Sequence, residues 1–220
     1  MKSFLAASSL AICLCAALPA QTPKVPAESS PGHLVLEKPL SPGGTLVLTL
    51  NVGDLRIQPV SGNKAVRLEI ETERPADPQT LASWVTRFEV AAERATLDIR
   101  TPKSSDHCAD CYGGSTVVVY VPQQTELKVQ LGVGDLTISG IQGNKELHVD
   151  IGDLKLAVAG PDEYDHVETH TRIGDISDSL SQGAHGHFLG QSEDFSLNGR
   201  FHLKASVGIG DVNIHRESGS

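Results

Sequence analysis

The chain has 220 residues, enough for one domain with a sizeable core, but only 4% are aromatic, which argues against an interior built on bulky rings. Its formal net charge is −9, and −10 without residues 1–20, which hold one Lys and no acid. That balance argues against nucleic acid or anionic lipid as a partner.

Residues 1–20 read as a signal peptide: Lys2 gives a short basic start, Phe4 to Leu18 an apolar run, and Ala20 a small residue at the cleavage edge. Ile12 and Leu14 precede Cys13 and Cys15 where a lipid anchor needs a small residue, so lipidation is disfavoured. No later stretch approaches the roughly 20 apolar residues of a membrane span. The expected location is exported: periplasm, cell surface or extracellular space. Residues 21–32, with Pro23, Pro26 and Pro31 among small polar residues, are expected to form a disordered linker. Residues 33–216 are expected to form a single β-repeat domain.

Within it, "HLVLEKPL", "TLVLTLNV", "AVRLEIE", "RATLDIR", "STVVVYV" and "TELKVQLGV" place Val, Leu or Ile at alternate positions, the strand period. One segment breaks the rhythm. In "DPQTLASWVTRF", Asp77 can cap a helix that starts at Pro78, and Leu81, Trp84, Val85 and Phe88 fall at helical spacing. A short helix near residues 78–86, plugging one part of the core, is the expectation.

A Gly-Asp pair then recurs between apolar strands, at Gly53-Asp54, Gly134-Asp135, Gly152-Asp153, Gly174-Asp175 and Gly210-Asp211. Residues facing one core lie an even number apart on a straight strand, yet Ile151 and Leu154 are three apart. The same gap separates Val52 from Leu55, Val133 from Leu136, Ile173 from Ile176 and Ile209 from Val212. This predicts a corner at each pair, with the apolar residues on both sides facing inward. Gly allows the bend, and Asp can accept hydrogen bonds from nearby amides. The glycines at 134, 152 and 174 are 18 and 22 residues apart, and the 36 from 174 to 210 is twice 18, so a decayed corner is expected at Glu193-Asp194-Phe195. Residues 52–70 also align without gaps on residues 133–151, with nine identities in nineteen. Units near twenty residues that cannot each bury a core predict an all-β fold, a parallel β-helix or solenoid-like stack with a slim aliphatic centre.

The run "VPQQTELKVQLGVGDLTISGIQG", a strand ending in Val-Pro and followed by Gly-Asp rungs behind a signal peptide, resembles the bacterial putative-adhesin family, also called toastrack or head-domain adhesins. The resemblance covers about residues 40–215. It implies a β-helix-like stack, an envelope or extracellular location and no known catalysis, and it offers no catalytic residues to carry over. This chain departs from the family in its Cys-containing loop (102–115) and its His-rich final third.

Four side-chain groupings bear on function. Stacking would set Asp135, Asp153 and Asp175 in a row about 4.8 Å apart, where calcium could bridge them. The dense Gly-Gly-x-Gly-x-Asp rhythm of calcium-binding repeats is missing, and capping of the corners is favoured. In "SSDHCADCYGG", Cys108 and Cys111 are the only cysteines of the mature chain, and export favours a disulfide between them. The rival is zinc held by His107, Cys108 and Cys111 with Asp106 or Asp110, although a lone C-x-x-C lacks a second pair. His166, His170, His185, His187, His202 and His215 crowd the end of the chain, and His185 and His187 are spaced to share a strand face as metal ligands. Solvated surface histidines in a Gly-rich loop are the simpler reading.

No nucleophile elbow, P-loop or H-E-x-x-H helix is present. The expectation is therefore a non-enzymatic protein without cofactor that presents a long acidic face to a surface ligand, protein or glycan, with self-association through strand edges. Its rivals are a metal-binding envelope protein using the His and Cys segments, and a polysaccharide-acting β-helix enzyme.

Overall fold

The structure is a computed structural model that describes residues 28–62, 64–102, 114–180 and 189–217. In chain order the strands are β1 (His33–Pro39), β2 (Thr45–Val52), β3 (Asp54–Pro59), β4 (Ala65–Thr72), β5 (Val85–Ala91), β6 (Arg94–Ile99), β7 (Ser115–Val121) and β8 (Glu126–Val133). They continue as β9 (Leu136–Ile138), β10 (Lys145–Ile151), β11 (Leu154–Val158), β12 (Tyr164–Ile173), β13 (Ile176–Asp178), β14 (Leu189–Ser196), β15 (Phe201–Ile209) and β16 (Val212–Arg216). Among the described residues one α-helix, α1 (Pro78–Trp84), and a 3-10 turn at Pro161–Glu163 interrupt them.

Two eight-stranded mixed sheets result, and they do not close on each other. Sheet I runs β1-β4-β7-β3-β9-β11-β16-β13, and sheet II runs β14-β12-β15-β10-β8-β2-β6-β5. Alternation places one side chain in two on the inner face of each sheet. Leu48, Val129, Leu147 and Ala205 line sheet II, and Leu55, Leu136, Leu154 and Val212 line sheet I, all buried. The core is aliphatic almost throughout, in keeping with the shortage of rings.

Between the sheets the chain passes five times through a Gly-Asp pair, from β2 to β3, β8 to β9, β10 to β11, β12 to β13 and β15 to β16. Their order in space differs from their order in sequence. β15 and β16 insert between the β10–β11 and β12–β13 pairs, in parallel with both neighbours.

Several sequence-based expectations are corrected. Glu193-Asp194-Phe195 is no corner, because β14 runs antiparallel to β12 at the edge of sheet II and pairs Asp194 with Glu168. The Gly-rich stretch expected as a loop likewise contributes Leu189, Gly190 and Gln191 to that strand.

The helix stops at Trp84, two residues early. Val85 and Phe88 belong to β5, where pairing with β6 overrides the helical spacing, although both stay buried beside Leu81 and Trp84. The start of the helix forms with Asp77 as cap, its carboxylate accepting from Gln79 N–H at 3.0 Å.

The two aligned stretches also diverge halfway. β3 and β9 are parallel neighbours, but β4 then turns back antiparallel in sheet I while β10 crosses to sheet II. Gly140, with φ +68°, stands where the first copy has Pro59. A proline ring holds φ near −65°, so the first copy cannot take that left-handed step.

Candidate functional site

The five corners stack into one line, ordered Gly53-Asp54, Gly134-Asp135, Gly152-Asp153, Gly210-Asp211 and Gly174-Asp175. Each glycine has φ between +132° and +138°. A Cβ on Gly152 would lie 2.0 Å from the Gly134 carbonyl oxygen, so these positions admit no side chain. Glycine amides donate across the line, Gly134 N–H to Ile151 O and Gly152 N–H to Ile209 O, both at 2.9 Å.

The aspartates form a second ladder beside the first. Asp135 N–H donates to Asp54 Oδ1 at 3.2 Å, Asp153 N–H to Asp135 Oδ1 at 3.0 Å, Asp211 N–H to Asp153 Oδ1 at 3.0 Å, and Asp175 N–H to Asp211 Oδ1 at 2.8 Å. Gln191 closes the end of the line. Its amide nitrogen donates to Asp175 Oδ1 at 3.3 Å, and its oxygen accepts from Ile176 N–H at 2.7 Å. One carboxylate oxygen of each of the first four aspartates thus caps the next corner. The Asp135 Oδ2 lies 3.7 Å from Lys155 Nζ.

The apolar residues just before the corners do not face inward, which corrects the parity reading. Val133, Ile151, Ile173 and Ile209 are 40–47% exposed, whereas Leu131, Val149, Thr171 and Val207, two residues earlier, are buried. The three-residue gap simply joins an outward residue to an inward one. The break in alternation lies one step upstream, at Gly132, Asp150 and Gly208, where the strand pairing skips a position. The four side chains sit in register on adjacent strands, with half-buried Val52 extending the row. At the usual strand spacing this aliphatic strip is about 19 Å long, and it runs alongside the line of five carboxylates.

The outer face of sheet II is mixed in charge rather than acidic. Glu168, Lys204, Glu146 and Lys128 stand in register across four strands, with Lys204 2.9 Å from Glu168 and Lys128 2.8 Å from Glu146. The hydrogen bond from Lys128 holds the Glu146 carboxyl below its ordinary range. One row over, His148 Nδ1 lies 2.6 Å from Ser206 Oγ, and its Nε2 lies 2.9 Å from Asp150.

Of the histidines singled out in the sequence, His166 is 3.4 Å from Asp194 and His202 is 2.8 Å from Asp165, with the two rings 6.4 Å apart. Among the described residues, no three His, Cys, Asp or Glu side chains gather to hold a metal. Asp106, His107, Cys108, Asp110, Cys111, His185 and His187 lie outside the described residues. No helix among the described residues is long and apolar enough to cross a membrane.

Lys145 was missed by the sequence reading. It occupies an inward position of β10 and is buried, donating to Gly143 O at 3.2 Å, to Glu163 Oε1 at 3.3 Å and to the Tyr164 hydroxyl. Burial lowers the lysine pKa against the pull of Glu163, and burial raises that of Tyr164. The signal was present, since Lys145 has the parity of Leu147 and Val149.

No protein-family model matches the chain, and no curated protein matches it. Among solved structures it is similar to a putative cell adhesion protein from Clostridium sporogenes, with TM-score 0.54 and 17% identity over 84% of this chain and 100% of that one. The two share a fold. Putative adhesins from Parabacteroides distasonis (TM-score 0.28, 11% identity, 85% of this chain and 71% of that one) and Bacteroides fragilis (0.28, 8%, 83% and 97%) also align. The description of the Clostridium protein coincides with the resemblance drawn from the Gly-Asp rungs.

Proposed function

We propose that the protein is an exported, non-enzymatic binding protein of the adhesin type, whose Gly-Asp turns pile into a solenoid-like stack in an order that differs from the sequence. The exposed aliphatic strip of Val133, Ile151, Ile209 and Ile173 is the observation that carries this reading. Contiguous apolar surface of this kind on a chain that is otherwise charged marks an interaction site. The carboxylate line beside it favours a protein partner that sets aliphatic side chains against the strip and Lys or Arg against Asp54, Asp135, Asp153, Asp211 and Asp175. No ring lies in the strip to stack on a sugar.

In this reading the Gly-Asp pairs are architectural and hold the strip in register. Residues 1–20 direct export, 21–32 are a linker, and Cys108 and Cys111 form a disulfide in the oxidising compartment. The description of the Clostridium protein as a putative cell adhesion protein supports the same reading.

The test is binding of the purified chain to washed bacterial envelope fractions, beside an Ile151→Asp/Ile209→Asp variant whose melting temperature confirms folding. Binding is expected to disappear with the variant and with protease treatment of the fraction. Binding that survives protease but is lost after periodate oxidation would replace the protein partner with a glycan, and a variant that binds like the wild type would overturn the reading.

A further inference from the structure

The outer face of sheet II has a charge pattern that is complementary to itself. Across β12, β15, β10 and β8 the row reads Glu168, Lys204, Glu146, Lys128, with signs alternating. A second copy laid face to face can be related by a two-fold axis in the plane of contact, and the orientation of that axis decides which residues meet. With the axis across the strands and along this row, Glu168 meets its own equivalent, and every charge in the row meets a like charge. An axis along the strands, passing between β15 and β10, reverses the row. Glu168 then opposes Lys128 of the second copy, and Lys204 opposes Glu146.

The neighbouring rows agree with that axis. His166, His202, Asn144 and Glu126 stand in order across the same part of the sheet, Asn144 just ahead of β10, with His202 N–H donating to Asn144 at 2.9 Å and Asn144 to Glu126 at 3.0 Å. Reversal sets His166 against Glu126 and His202 against Asn144. In the row of His170, Ser206, His148 and Gln130, reversal sets His170 against Gln130 and Ser206 against His148. No like charges meet in any of the three rows.

We propose that this face is the homodimer interface of the protein, with the two-fold axis parallel to the strands between β15 and β10. Two features support a second copy as the occupant. The chain carries a formal net charge of −9, so copies repel over most of their surface, and a face with alternating signs is where they can approach. The area fits a weak dimer. With the axis between β15 and β10 the six strands from β14 to β2 overlap, and at about 4.8 Å per strand and six residues at about 3.3 Å they span about 29 Å by 20 Å, or about 580 Å² per partner, the size of a small, transient interface. The face lacks large apolar groups, so the contact is polar and its strength depends on the alignment of charges. It leaves the aliphatic strip, on the corner of the sheet, open to a different partner.

Sedimentation equilibrium of the purified chain tests this with charge reversal. Lys128→Glu alone and Glu168→Lys alone each place like charges across the axis and are expected to raise the dimer dissociation constant about tenfold or more. The combined Lys128→Glu/Glu168→Lys variant restores every opposed pair and is expected to return to within about threefold of wild type, and 1 M salt is expected to weaken the wild-type dimer. The pair Glu146→Lys/Lys204→Glu supplies an independent swap should either first variant fold poorly, with thermal melts run on all. A wild-type chain that remains monomeric up to millimolar concentration, or a dimer indifferent to the single reversals, overturns the proposal; the second outcome points to pairing through strand edges.

Discussion

Asp153 sits in the middle of the carboxylate line, with Asp135 on one side and Asp211 on the other, and accepts the Asp211 amide at 3.0 Å. Two opposing effects of its charge can be weighed. A like charge about 4.8 Å away in water costs about 0.9 kcal/mol. Two such neighbours cost about 1.7 kcal/mol, and physiological salt roughly halves this. Against it stands a hydrogen bond to a charged acceptor, worth about 1.5–3 kcal/mol where a neutral one gives about 0.5–1.5. Asp153→Asn keeps the acceptor oxygen, gives up about 1 kcal/mol of charge assistance and recovers about 1 kcal/mol of repulsion, so its stability should stay within about 0.5 kcal/mol of wild type. Asp153→Ala loses the bond outright and should be less stable by about 1–2 kcal/mol, or about 3–6 °C in melting temperature. Calorimetry of the three proteins with EDTA and with millimolar calcium distinguishes the accounts. Equal losses in the Asn and Ala variants, or a calcium-dependent gain in wild type that the Asn variant lacks, would refute capping and replace it with a bridging cation.

Gly152→Ala should cost at least about 3 kcal/mol, because strain of about 1–3 kcal/mol at positive φ is joined by separation of two strands. Gly43→Ala, with φ +83° but no atom within 4 Å of its new Cβ, should cost only about 1 kcal/mol by urea unfolding. Lys145→Met leaves the nearly buried Glu163 carboxylate without its cation and should destabilise by about 3–5 kcal/mol, while Lys145→Met/Glu163→Gln should recover most of that loss; urea midpoints of the two variants check both statements. Burial raises the Tyr164 pKa above its unfolded value, so its contribution is fully present below about pH 10 and is lost as the unfolded chain ionises above that. Lys145, lowered by burial, adds stability with rising pH only up to its unfolded pKa of 10.5. Above that point the wild-type stability should fall more steeply than that of Tyr164→Phe, by about 1.4 kcal/mol per pH unit, as read from urea unfolding at pH 9 to 11.5.

The strands, the capped helix and the recurring Gly-Asp pairs were legible because each depends on nearest neighbours: alternation, a cap, a glycine where no side chain fits. What stayed hidden depends on neighbours distant in sequence. The repeat of residues 52–70 on 133–151 concealed a change of path, and a single exchange, Pro59 for Gly140, was the visible trace of it. The order of the corners was hidden for the same reason: nothing local in β15 records that it lies between β10 and β12. Spacing alone suggested that Glu193-Asp194 continued the series, yet a corner needs a residue tolerant of positive φ and free of a Cβ, and Glu193 is neither.

The strip was misplaced by a subtler step. Parity was carried through Asp150, where the alternation breaks, so Ile151 was assigned to the core along with Val149. An odd gap between two apolar residues also fits one outside and one inside. A chain that keeps Val133, Ile151, Ile209 and Ile173 outside, aligned on adjacent strands, keeps them against the hydrophobic effect; burying one such side chain contributes about 1.5–3 kcal/mol. Aliphatic residues at one register position on four strands serve no part of the core that the Gly-Asp ladder encloses. Their exposure, more than the resemblance in fold, supports the proposal that the corner line is a binding surface rather than only a hinge between two sheets.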